Sequence, residues 1–119
     1  MKDFRTLAVW QKSHELALSI YGETKMFPKE ETFGLTSQMR RAASSVSANI
    51  AEGCGRGSDA DLSRFLQIAF GSISELDCHL ILARDLNLLS VKTYEDIYSR
   101  VVEVRRMLAS LIRKIKAGT

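Results

Sequence analysis

The segment from Gln38 to Gly53 carries two neighbouring stripes at helical spacing, and it constrains the fold more than any other part of the chain. Apolar residues recur every three or four positions, a period that fits an α-helix and excludes a β-strand. These residues are Leu35, Met39, Ala42 or Ala43, Val46 and Ile50. The second stripe holds small and polar side chains at Gln38, Ala42, Ser45, Asn49, Glu52 and Arg56. Because a solvent-facing stripe normally contains charged and long polar residues, we expect this one to lie close to another helix backbone.

Few turn-forming residues are present, which extends the helical interpretation to the whole chain. One proline and seven glycines in 119 residues are too few for a sandwich or barrel of many short strands. A chain of this length can bury a core without disulfides or metals. Cys54 and Cys78 lack the spacing and the histidine partners of a metal or redox site, so we interpret both as small apolar residues.

Apolar periodicity predicts four helices, at about residues 6–26, 36–54, 59–88 and from Ser90 or Thr93 onward. Short connections favour antiparallel neighbours. The predicted fold is therefore all-α, an up-down-up-down four-helix bundle that forms a single domain over residues 1–119. The apolar stripe predicted for the first helix contains Leu7, Trp10, His14, Ala17, Tyr21 and Thr24, and it is widened by Val9, Leu16, Ile20 and Phe27.

Turn chemistry predicts the helix ends. Pro28 ends the first helix, and the turn after it is expected to carry Phe33 and Leu35 back to the core. Glycines 53, 55 and 57, which can adopt left-handed conformations, are expected to end the second helix. The remaining predicted caps are Ser58 or Asp59 for the third helix, Asn87 at its end, and Ser90 or Thr93 for the fourth.

Polar residues of the second and third helices are predicted to meet across the bundle. If the chain reverses near Arg56 and Gly57, Arg41 faces Ser72, and Gln38 faces Glu75. Glu75 would then pair with Arg40 or Arg41. We favour an ion pair that fixes the helix register over a catalytic pair, because no nucleophile or metal ligand accompanies it. The predicted structural polar network comprises Gln38, Arg40, Arg41, Asn49, Glu52, Ser72 and Glu75.

Other patterns do not support chemistry. Glu75 and His79 are one helical turn apart and His14 could approach them, but a di-metal bundle needs Glu-x-x-His motifs, which the sequence lacks. Ser44, Ser45 and Ser47 have no nearby base. We therefore expect no catalytic residue, no metal, no cofactor and no enzymatic activity.

Basic residues are concentrated near the C-terminus, where no acidic residue follows Glu103. They are Arg105, Arg106, Arg113, Lys114 and Lys116. Two interpretations stay open: a solvated face that complements the helix dipole, and a surface that binds nucleic acid. Because the segment contains no aromatic residue, binding would be directed to phosphates and would tolerate sequence changes. The net charge of +3 permits this function without demonstrating it.

The N-terminal residues offer no apolar signal segment, and we find no apolar run of membrane-spanning length, so a soluble cytoplasmic protein is expected. Apolar residues outside the core stripes suggest that the protein forms oligomers. Those residues are Trp10, Tyr21, Val102, Ala109 and Ile112.

Several motifs together resemble a known family. The most specific is Arg40-Arg41-Ala42-Ala43 followed by Asn49-Ile50-Ala51-Glu52-Gly53. The others are Phe4 to Trp10, Phe33-Gly34-Leu35, Gln38, Gly55-Arg56, Phe65-Leu66, Ala69, Gly71-Ser72 and Glu75-Leu76. With these motifs, the chain resembles the 23S rRNA intervening-sequence proteins, also called S23-like proteins, over nearly its whole length.

The resemblance implies a small bacterial cytosolic protein that assembles into ring-like pentamers of four-helix bundles. Some family members are encoded inside insertions of ribosomal RNA genes. A similar protein is an accessory factor to the reverse transcriptase of diversity-generating retroelements and is thought to bind nucleic acid. The expected partners are therefore further copies of the chain, RNA or single-stranded DNA, and a protein such as a reverse transcriptase. The alternative function is an oligomeric scaffold for protein partners with no nucleic-acid role.

Overall fold

The computed structural model describes residues 3–118, which form four α-helices. They are α1 (Ala8–Thr24), α2 (Leu35–Cys54), α3 (Asp59–Asp85) and α4 (Val91–Ala117). Short 3-10 turns at Phe4–Thr6 and Lys29–Glu31 precede α1 and α2. The all-α class predicted from the apolar periodicity is confirmed.

Contacts between neighbouring helices establish the antiparallel order. Near the ends of α1 and α2, Arg40 bonds to Thr24, and near the middle of α2 and α3, Ser45 bonds to Ser72. Lys12 in α1 approaches Glu103 in α4 at 3.8 Å, which closes the ring of four helices. The bundle measures 46 × 23 × 20 Å, and its most extensive helix pair is α2 with α3.

The core faces of α2, α3 and α4 agree with their sequence periodicity. Each apolar position predicted for α2 is buried, and α3 and α4 bury an unbroken series of core residues. The fully buried residues include Met39, Val46, Ile50, Leu66, Ile73, Leu76, Leu80, Val101, Val104 and Leu108. Periodicity alone was sufficient for these three helices because their core positions are almost all aliphatic.

The core face of α1 differs from the expected one by about one residue. The residues expected only to widen the stripe, Val9, Leu16 and Ile20, are buried, whereas His14 and Tyr21 are exposed. Buried polar residues explain the error. The Ser13 hydroxyl donates to the Val9 carbonyl at 2.6 Å, and the Thr24 hydroxyl donates to the Ile20 carbonyl at 2.7 Å, so both can enter the core without an unsatisfied group.

Three predicted helix caps are confirmed. The side chain of Ser58 accepts a hydrogen bond from the backbone of Asp61, and that of Ser90 accepts one from the backbone of Thr93. Asn87 has φ 61 and closes α3, although the regular helix already ends at Asp85. The left-handed residue lets the Leu88 amide reach the Ala83 carbonyl at 2.9 Å, which satisfies the helix end.

Two predictions about the turns were wrong. Phe33 does not return to the core: it is 96% exposed, and Phe27, which ends the α1 stripe, fills the core with Leu35. Of glycines 53, 55 and 57, only Gly57 has a positive φ. Gly53 is a helical residue in α2, where its missing side chain permits close contact with α3.

The contact at Gly53 leaves no room for a side chain. A Cβ atom there would lie 3.0 Å from Leu62 Cδ1 and 3.0 Å from Phe65 Cβ. The small stripe of α2 therefore does face another helix, as expected, and Gly53 belongs to that contact.

α3 is long and apolar enough to cross a membrane by length and composition, with a mean hydropathy of 1.3 in its most apolar window. No such segment was expected from the sequence. Only 33% of that window is buried in the bundle, so the apolar character comes from an outer face as well as from the core face.

Replacement of Gly53 with Ala is expected to lower the free energy of unfolding by about 1 to 2 kcal/mol, because overpacking outweighs the gain in helix propensity. Gly22 in α1 is the matched control, since a Cβ there meets nothing within 4 Å. Gly22→Ala should raise the free energy of unfolding by about 0.5 to 1 kcal/mol. Urea denaturation followed by circular dichroism measures both, and equal changes in the two variants would contradict the close contact.

Cys54 is 4% exposed, and burial raises the pKa of its thiol. A thiolate is the reactive form, so both access and ionisation protect this residue. In a Cys78→Ser background, we expect Cys54 to stay unmodified by iodoacetamide at pH 8 and to react when the protein is unfolded in urea. Mass spectrometry reads the result, and rapid modification of the folded protein would show that Cys54 is not in the core.

Candidate functional site

Four cations lie on the exposed side of the C-terminal half of α4. Arg106, Arg113, Lys114 and Lys116 are all exposed. The fourth helix ends at Ala117, so Lys114 and Lys116 occupy its last turn, where they complement the partial negative charge of the helix end. The structure thus brings together most of the predicted nucleic-acid-binding residues.

A groove of about 390 Å³ separates this end of α4 from the start of α1. Its apolar part is formed by Leu7, Val9, Met107 and Leu111, and Arg106 and Lys114 contribute the cations. Two of the predicted basic residues therefore line one shared concave surface.

Arg105 occupies a different environment from its neighbour Arg106. Its Nη1 donates a hydrogen bond of 2.9 Å to Asp77 Oδ2 in α3, and the two side chains are 30% and 21% exposed. The hydrogen bond with Asp77 raises the pKa of Arg105. The structure therefore corrects the prediction for Arg105, because position 105 faces α3 and its guanidinium is used inside the bundle.

Within the predicted polar network, three residues connect α2 with α3. Ser45 and Ser72 share a hydrogen bond of 2.9 Å. The Asn49 amide donates to the carbonyl of Ser45 at 2.8 Å and to its hydroxyl at 3.0 Å. The predicted neighbour of Ser72 was Arg41, so the real register differs by one helical turn.

The predicted pairing of Glu75 with Arg40 or Arg41 is wrong. Glu75 is 59% exposed, and its charged neighbour is His79 at 3.9 Å. Arg40 turns instead toward α1, where its Nε donates to Thr24 Oγ1 at 2.9 Å and its Nη2 donates to the Tyr21 carbonyl at 3.2 Å. Arg41 is exposed. The error follows from the register, which was estimated from the loop position and not from a contact.

The remaining predicted network residues lie at the surface. Gln38 is exposed, and Glu52 forms an exposed ion pair with Arg56 one turn later at 3.1 Å. No three side chains of His, Cys, Asp or Glu come together as a possible metal site in residues 3–118.

Sequence reasoning missed Asp77, the acidic partner of Arg105. The signal was weak, because Asp77 is two positions from Glu75 and its importance depends on which face of α3 meets α4. Its Oδ2 is bound by Arg105, whereas Oδ1 is a buried atom without a hydrogen-bond partner in the described part of the chain. Removal of either charge would therefore leave the other poorly compensated.

We expect Asp77→Ala to lower the free energy of unfolding by about 1 to 2 kcal/mol, since it strands a partly buried arginine that solvent screens only in part. Glu75→Ala is the matched control on the same helix and should cost less than about 1 kcal/mol, because its side chain is exposed. Urea denaturation compares the two. A larger loss for Glu75→Ala than for Asp77→Ala would contradict the observed register.

Comparisons with known proteins agree with this architecture. Residues 5–110 match the family model of the 23S rRNA-intervening sequence protein. A crystal structure of a protein of unknown function from the S23 ribosomal protein family of Bacteroides thetaiotaomicron is similar, with a TM-score of 0.81 and 28% sequence identity. The similarity covers 88% of this chain and 95% of that one. The comparison with curated proteins finds no match.

A family match over most of the chain, together with a structural neighbour of the same architecture, identifies the fold and the family at once. The chain belongs to the 23S rRNA-intervening sequence protein family.

Proposed function

We propose that this protein is a non-enzymatic, cytoplasmic accessory protein that binds RNA or single-stranded DNA through the exposed cations of α4. The observation that carries the proposal is the group of Arg106, Arg113, Lys114 and Lys116 on a helix end without acidic residues. The name of the family, which refers to intervening sequences of 23S rRNA, supports RNA as the first candidate.

The chemistry of this surface favours phosphate contacts. Arginine and lysine side chains that bind phosphates release counterions, which makes the affinity depend steeply on salt. Arg106 and Lys114 line one groove, so two of the charges can act on neighbouring phosphates. Since Val104–Thr119 contains no aromatic residue, this surface offers no platform for base stacking, and its binding should tolerate sequence changes.

Assembly would multiply this surface. The outer face of α3 exposes four large apolar side chains, each between two-fifths and about half accessible, at Ile68, Ile81, Leu82 and Leu86. A monomer rarely leaves such a face in water. We propose that other copies of the chain cover it and that the assembly is a pentamer, so that several weak basic surfaces bind one nucleic acid with high avidity.

Among the residues that we expected to mediate assembly, the structure exposes only Tyr21. Trp10, Val102, Ala109 and Ile112 are half-buried within the bundle. The proposed interface therefore moves from α4 to α3.

A second candidate function follows from the same α3 face. An apolar surface of this kind can also hold a different protein, such as a reverse transcriptase, and the oligomer would then act as a scaffold without a nucleic-acid role. Loss of nucleic-acid binding from the proposal, with assembly retained, would leave this candidate.

The salt dependence of binding tests the basic surface. In the triple variant of Arg106, Arg113 and Lys114 to Ala, the slope of log affinity against log salt should fall by about two to three units per protomer engaged, at roughly 0.7 to 0.9 unit per phosphate contact. Fluorescence anisotropy with labelled RNA measures it. Absence of binding by the parent at about 50 mM salt, or an unchanged slope in the triple variant, would overturn the proposal.

Adjacent single variants provide a sharper comparison. Arg106→Ala should lower the salt slope by roughly 0.7 to 0.9 unit. Arg105→Ala removes the same charge one position away but should leave the slope unchanged, because Arg105 is bound to Asp77. Both variants must first show parent-like helical spectra.

Light scattering after size exclusion tests assembly at micromolar concentration. We expect a mass several times the chain mass of 13.3 kDa, with a pentamer as the specific expectation. Leu82→Glu, which places a charge in the proposed interface, should reduce that mass, whereas Leu18→Glu, at an exposed site on α1, should not. A parent mass near 13.3 kDa would contradict assembly.

A further inference from the structure

A second groove lies at the opposite end of the bundle from the basic end of α4. It has a volume of about 470 Å³ and lies between the end of α1 and the start of α2. Tyr21, Thr32, Phe33, Arg40, Arg41 and Ser44 contribute to its lining. In contrast to the α4 surface, this groove combines aromatic rings with arginines.

The aromatic part of the groove is unusually open. Phe33 is 96% exposed and Tyr21 is 42% exposed. The sequence led us to expect Phe33 in the core, yet it packs against nothing that would account for its burial on folding. A phenylalanine ring held at the surface beside a groove is available for stacking with a planar ligand.

The two arginines differ in how firmly they are held. Arg40 is fixed by hydrogen bonds to Thr24 Oγ1 and the Tyr21 carbonyl, and its guanidinium lies 4.8 Å from the centre of the Tyr21 ring. None of these partners is a carboxylate, so its positive charge is not neutralised there. Arg41 is exposed and forms no ion pair within residues 3–118. Since no acidic residue lines the groove, its charge favours an anion.

We propose that this groove binds single-stranded nucleic acid, with a base stacked on Phe33 and the adjoining phosphates bound by Arg41 and Arg40. The inference rests on the proposed nucleic-acid function and adds a second contact that recognises unpaired bases. An aromatic ring next to arginines is the arrangement that single-strand-binding surfaces use, because every base offers a face for stacking. A duplex keeps its bases stacked on one another, so it gains nothing from Phe33.

The two surfaces consequently have different specificities. The α4 cations bind phosphates of any nucleic acid, whereas the groove favours single strands over duplexes. They lie at opposite ends of a bundle 46 Å long, so one variant can remove either surface without touching the other.

The test compares Phe33 variants for binding to oligo(dT) and to a duplex of the same length. Phe33→Leu keeps an apolar side chain but removes the ring, and should weaken oligo(dT) binding about ten-fold while duplex binding is unchanged. Phe33→Trp restores a ring and should bind oligo(dT) like the parent. An oligonucleotide with 2-aminopurine, whose fluorescence falls on stacking, should be quenched by the parent and by Phe33→Trp but not by Phe33→Leu.

Arg41→Ala should reduce the salt slope for oligo(dT) by roughly 0.7 to 0.9 unit. Leu86→Ala, which truncates an exposed apolar residue on α3 outside the groove, is the control and should leave oligo(dT) binding unchanged.

Each outcome separates this inference from the α4 surface. If Phe33→Leu binds oligo(dT) like the parent while the α4 triple variant loses salt dependence, the groove is overturned and the proposed function stands. If Phe33→Leu weakens binding but the triple variant does not, the groove is supported and the α4 surface fails. If Phe33→Leu changes the mass in light scattering, the groove is an interface between copies and the inference is overturned. A parent that binds no nucleic acid overturns both.

Discussion

The close contact between α2 and α3 determines the arrangement of the rest of the bundle. Small residues on α2 let the two backbones approach, and at Gly53 the space for even a methyl group is already taken by Leu62 and Phe65. The Ser45–Ser72 hydrogen bond then fixes the position of one helix along the other. Because protein interiors are close-packed, a contact of this kind permits one register and excludes its neighbours.

The register decides which charges are neutralised and which stay available. It places Asp77 beside Arg105 and leaves Glu75 in solvent, so the partly buried ion pair joins α3 to α4 instead of α2 to α3. Arg40 is held by uncharged partners on α1. One adjacent pair of residues on α4 shows the effect clearly: Arg105 is used in the bundle, and Arg106 is presented to solvent.

The fold offers little concave or chemically reactive interior, so its capacity for function lies on its outside. The basic end of α4, the apolar outer face of α3 and the aromatic groove near Phe33 are three distinct surfaces on one narrow bundle. A ring of copies would repeat each surface at regular intervals, and repetition raises the strength of weak contacts without any new chemistry. This is a physical reason for a small bundle with no buried reactive group to work as an assembly.

The sequence by itself determined the four helices, their caps at Ser58 and Ser90, the left-handed Asn87 and the aliphatic core, because helical periodicity and capping depend on neighbours along the chain. It also identified the stripe of α2 that meets another helix, and the motifs that place the chain in its family. Only the tertiary structure decided the register, since loop geometry leaves an uncertainty of about one turn and one turn exchanges every cross-helix partner. For the same reason only the structure could bind Arg105 to Asp77, turn Arg40 toward α1 and leave Phe33 exposed beside Arg41.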